Sequence, residues 1–158
     1  MKKRIALVFS LASVAICVYV PALEASKATV NQPQHATGGV VASAGGGIVF
    51  VSLTFNAHAA TGNQPVKGKV KYTNTFGEEF RGTVNVCYNQ VGNVASFAGT
   101  VESGNVNFPF FRIEVQDNGE GEESPPDMIR VLGLYDVPTC EITGQPATVI
   151  QGNLQVHQ

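Results

Sequence analysis

Tryptophan is absent from this 158-residue chain, methionine occurs twice, and cysteine and histidine occur three times each. Charged residues make up only 14% of the sequence, with a small acidic excess. So few cations provide no basic surface of the kind nucleic acid requires. The one basic stripe, Lys67, Lys69 and Lys71, alternates with Val66, Gly68, Val70 and Tyr72 and reads as the wet face of a strand. No stretch repeats apolar residues at helical spacing over the roughly 10 to 12 positions a helix core needs. Zinc is also poorly supported, because His35, His58 and His157 are far apart in sequence. No Gly-x-Ser-x-Gly elbow marks a nucleophile, so a secreted hydrolase with an unrecognised site is a minor alternative.

What the chain does have begins at its first residues. Lys2, Lys3 and Arg4 precede an uncharged run from Ile5 to Val20, and small residues follow between Pro21 and Ala28. That order is the pattern of a secretory signal peptide, taken as residues 1–25. The run is shorter than the roughly 20 residues of a spanning helix, which leaves no membrane span expected in the mature chain. Bulky Ile16 before Cys17 does not suit lipoprotein processing. Removal of the peptide leaves seven basic and eleven acidic residues, a formal charge of −4. The expected location is secreted, with periplasm or cell surface as variants.

Cleavage also removes Cys17 and leaves Cys87 and Cys140. In an oxidising compartment two cysteines most simply form one disulfide, a free buried pair being the alternative. The bond is worth roughly 4 kcal/mol by loop-closure entropy.

Beyond a polar stretch read as a flexible leader, 26–44, a single domain is expected over 45–158. Its segments alternate with period two: Val51-Leu53-Phe55-Ala57, then Val66-Gly68-Val70-Tyr72, then Phe80-Gly82-Val84-Val86-Tyr88. Ala95-Phe97-Gly99-Val101, Phe111-Ile113-Val115, Ile129-Val131 and Ile150-Gly152-Leu154-Val156 continue the pattern. Turns rich in Gly, Asn and Pro separate them. The composition predicts an all-β fold of about seven or eight antiparallel strands, either a Greek-key β-sandwich or a small closed β-barrel. Inward glycines at 68, 82, 99 and 152 favour strong coiling or closure.

One turn concentrates oxygen ligands. Asp117, Asn118, Glu120 and Asp127 lie around glycines in the run Asp117-Asn118-Gly119-Glu120-Gly121-Glu122-Glu123-Ser124-Pro125-Pro126-Asp127. A hard cation such as Ca²⁺ takes oxygens of this kind, although the spacing is not that of an EF-hand. The competing reading is a solvated hairpin connection whose short side chains satisfy turn amides. A ligand patch, if there is one, would use exposed aromatics: Phe76, Phe108, Phe110 and Tyr135, with Tyr88 behind them.

The ordered set Gly45-Gly46-Gly47-Ile48, Phe55-Asn56-Ala57 and Gly68-Lys69-Val70-Lys71-Tyr72 continues through Ala95-Ser96-Phe97-Ala98-Gly99-Thr100-Val101 and Val115-Gln116-Asp117-Asn118-Gly119-Glu120. It closes with Pro126-Asp127-Met128-Ile129 and Gly152-Asn153-Leu154-Gln155-Val156-His157. In this order and spacing the chain resembles the post-COAP-1 domains, small secreted bacterial β-domains of unknown function. The resemblance spans about residues 45 to 157. It implies an extracellular β-domain and transfers no catalytic residue. The function expected is a secreted structural or interaction module without catalysis, in contact with an extracellular protein or glycan. A carbohydrate-binding module is the alternative, weakened by the missing tryptophan.

Overall fold

The computed structural model describes residues 33–44, 47, 49–121, 123–144 and 147–157. The expected signal peptide lies outside them. Eight strands follow one another: β1 (His35–Ala44), β2 (Val49–His58), β3 (Lys67–Asn74), β4 (Glu79–Val91), β5 (Val94–Gly104), β6 (Phe110–Gln116), β7 (Met128–Leu134) and β8 (Ala147–His157). Each pairs antiparallel with the next, and β8 pairs with β1 to close a barrel. The barrel expectation therefore holds. Greek-key crossovers do not occur, because the order is sequential throughout.

Residues 35–44, expected within a flexible leader, form the closing strand β1. Ala36, Gly38, Val40 and Ala42 do alternate there, but small side chains make the period faint. In the sheet those same small residues suffice, since Ala36, Val40 and Ala42 are buried.

The interior is filled by rings and branched aliphatics. Phe80, Phe97, Phe111, Leu53, Ile113, Ile129 and Leu154 are almost wholly enclosed. Phe80 stacks on Tyr72 and Phe111 at centroid distances of 5.0 and 5.4 Å and meets Phe108 edge-on at 5.8 Å. Phe97 contacts Phe55 and Tyr88 in a second cluster. Glycine makes room for these rings. A β-carbon at Gly82 would stand 2.4 Å from the Phe111 ring. The barrel is thus a packed core and not a lumen. Outward positions on β2 to β4 are mostly polar or charged, among them Ser52, Thr54, Asn56, Lys69, Lys71 and Arg81, the reverse of a barrel that faces lipid.

Two irregularities alter the expected faces. Between Val84 and Cys87 the β4–β5 register slips, and Asn85 fills the gap by accepting from Thr100 N and donating to Thr100 Oγ1. On β8, Ile150 was expected inside with Gly152, Leu154 and Val156. A bulge opposite Val41 and Ala42 turns it out to 54% exposure. Val149 packs on the core instead. Gly152, beside the bulge, has φ of +108°, a conformation L side chains rarely adopt.

The seams of the barrel differ. Among the described residues β1 and β2 share ten residue pairs, whereas β7 and β8 share two, Met128↔Thr148 and Ile129↔Ala147. The β7–β8 connection instead folds back over the outside of β4, β5, β6 and β7. The Cys87 and Cys140 sulfurs lie 2.14 Å apart and tie it to β4. Asn89 donates to Cys140 O, and Arg112 to Thr139 O and Thr143 Oγ1. Glu114 accepts from Thr143 N, Thr143 Oγ1 and Gly144 N while paired with Arg112 at 3.3 Å. Beneath this cover Ala98, Ser96 and Glu114 are buried although they point outward.

Candidate functional site

Because side chains fill the interior, any contact surface lies outside. Among the described residues a groove of about 510 Å³ lies on the outer side of β2 to β5. Thr54 and Asn56 line one wall, Lys69 and Lys71 the floor, and Arg81 and Glu102 the other side. Strand alternation places these side chains together, since every second residue points outward. Lys69 Nζ donates to Thr83 Oγ1 at 2.6 Å and to Glu102 at 2.9 Å. Thr83 Oγ1 also donates to Glu102, and these two partners, Thr83 before Lys69, hold the Glu102 carboxyl below its usual range. Lys71 and Arg81 are directly opposed across β3 and β4. Neither has a carboxylate partner among the described residues. Like charges so placed repel, and the groove carries that cost beside one neutralised cation.

The four aromatics proposed as a ligand patch have different placements. Phe76 and Tyr135 stand in loops at 71% and 67% exposure. Phe108, expected outside, packs edge-on against Phe80 and lies over Gly133, where a β-carbon would meet its ring at 2.3 Å. Phe110 is half-buried on β6. Tyr88 belongs to the interior cluster; its hydroxyl donates to Gln90 Oε1, and burial raises its pKa. Phe50, which alternation alone does not distinguish, is exposed beside the Phe76 turn, where Thr75 N donates to Phe50 O.

The acidic turn is occupied with its own backbone. Asp117 Oδ1 accepts from Gly119 N and Oδ2 from Val156 N at 2.9 and 3.0 Å. Asp127 Oδ1 accepts from Asn118 N. Asn118 donates to Pro126 O and accepts from Gln116 and Asn93. Burial, with the neighbouring Asp117 charge adding to it, raises the Asp127 pKa. Glu120 contributes its carbonyl, which accepts from Ser124 Oγ. These are the turn-stabilising roles open to short polar side chains. Among the described residues no three His, Cys, Asp or Glu side chains stand around one point to hold a metal.

Sequence reasoning missed a gathering of histidines. His35 faces His58 on β2 and His157 on β8, so all three histidines of the chain form one outward row. Ring centroids are 5.5 and 4.2 Å apart, with rings stacked. Only recognition of β1 as a strand, and of its closure onto β8, would have revealed this from sequence. His58 is depressed in pKa by burial, then by His35 and Lys67.

Comparison with known proteins returns no matching family model, no matching curated protein and no matching solved structure.

Proposed function

We propose that the chain is an exported, non-catalytic interaction module whose outer β2–β4 face binds an acidic extracellular glycan. The observation that carries this reading is the opposed, carboxylate-free pair Lys71 and Arg81 in a groove that Thr54 and Asn56 supply with hydrogen-bonding groups. An acidic molecule that keeps adjacent unneutralised cations in a surface groove is suited to an anionic ligand, because complementary charge relieves their repulsion. Arginine adds a planar fork for carboxylate or sulfate. The Cys87–Cys140 pair fits an oxidising compartment and supports export. Membership of the post-COAP-1 family is proposed with it, on the ordered motifs of the sequence. A hydrolase is the weaker reading: His58 is flanked by His35 and Lys67, with no carboxylate bonded to it among the described residues.

Retention on an immobilised acidic polysaccharide, compared with a neutral one at low salt, tests the proposal. Retention on the acidic matrix should fall with added salt and disappear in the Lys71→Glu/Arg81→Glu variant. Equal retention on both matrices, or retention indifferent to the double reversal, would contradict it.

A further inference from the structure

The histidine row has chemistry that the groove does not use. Three imidazoles on three adjacent strands put borderline nitrogen ligands side by side at one rim of the barrel, where the closing strand β1 meets both neighbours. Imidazole suits Zn²⁺, Cu²⁺ and Ni²⁺. The middle ring is already oriented. His35 Nδ1 lies 3.0 Å from Pro33 O, and a carbonyl only accepts, so Nδ1 carries the proton. That leaves the Nε2 lone pair of the neutral ring available outward. A metal-binding histidine usually has this backing, since a carbonyl on the other nitrogen fixes tautomer and ring plane.

We propose that His35, together with His157 and His58, forms a site for a divalent transition-metal ion of the Zn²⁺ class, which clamps the ends of β8, β1 and β2. In the stacked arrangement the nitrogens do not yet converge on one centre. His157 is exposed and the other two partly so, and exposed side chains change rotamer in picoseconds to nanoseconds. Turning the outer rings toward His35 Nε2 brings donors to the roughly 2.0–2.1 Å that zinc requires. The closest pair, His35 and His157, supplies the first two ligands, and water completes the shell.

The charged surroundings set the strength. Lys67 on β3 faces His58 and opposes a second cation, while favouring the neutral imidazole that metal needs. On the other side the Asp117 carboxylate is bonded to the amide of Val156, next to His157, and supplies nearby negative charge. Gln90, which donates to His157 O from β4, is neutral. A surface site with one adverse ammonium and a ring rearrangement to complete binds in the micromolar range, not the nanomolar.

Zinc titration of the purified protein by calorimetry at about pH 7.5, with thermal unfolding in parallel, is the test. One equivalent should bind saturably, the unfolding midpoint should rise because the native state holds the ion, and His35→Ala should weaken binding at least about tenfold. His157→Gln should weaken it likewise, while Asp127→Asn in the acidic turn should not. Binding should fade on acidification, because protons compete with the ion for the imidazole nitrogens. All three side chains sit at the surface or in a turn, and circular dichroism checks that each variant is folded. Absence of saturable uptake at millimolar zinc would overturn the proposal, as would uptake that His35→Ala leaves unchanged.

Discussion

The two sides of this barrel are closed by different means. At β1, ladders of backbone hydrogen bonds run along both neighbours, ten residue pairs to β2 alone, with small side chains between them. At the junction of β7 and β8 two pairs form among the described residues, and the connection that lies across the outer face adds its own hold. There a disulfide, a buried carboxylate and two arginines hold the loop in place. Backbone pairing tolerates sequence change, since any residue but proline can supply it. Closure by side chains does not, and single substitutions should separate the two sides sharply.

Glu114→Ala should have the largest effect. It removes the acceptor for Thr143 N, Thr143 Oγ1 and Gly144 N and leaves Arg112, 12% exposed, without its counter-charge. Loss of one member of a buried pair costs about 3–5 kcal/mol, which urea unfolding would measure. Conversion of Cys87 and Cys140 to serine should follow at about 2–4 kcal/mol, with the same unfolding assay. By contrast, Ser96→Ala should leave stability unchanged or raise it by up to about 1 kcal/mol. The Ser96 hydroxyl is buried opposite Glu114 without a partner among the described residues, and an unsatisfied buried group is itself a cost.

Most of the strand framework was legible because its inward residues are large. Val51, Leu53 and Phe55, or Phe111, Ile113 and Val115, state their face without help from the rest of the chain. β1 was obscure for the opposite reason: Ala36, Gly38, Val40 and Ala42 are barely more apolar than their outward neighbours, and their burial is decided by rings from other strands such as Phe55 over Gly38. Missing β1 concealed the closure, and with it the histidine row. Phe108 was misplaced because a ring in a connection has no alternation to reveal that Gly133 leaves a seat for it. The disulfide was accessible from the count of exported cysteines. So was its role as a staple between an outward strand position, Cys87, and the 136–144 connection that carries Cys140. The strip beneath that loop was not, since cover over outward Ala98, Ser96 and Glu114 breaks the rule that alternate strand residues face water. The Lys71–Arg81 opposition required the β3–β4 register, which sequence spacing alone did not supply.

Hydrogen exchange before and after reduction of the disulfide tests whether one seam is closed through the loop and the other through the ladder. Reduction should accelerate exchange at the amides of β7 and the start of β8, Met128 to Leu134 and Ala147 to Val149, while the β1–β2 amides keep their protection. Acceleration spread evenly over both seams, or none at β7 and β8, would contradict it.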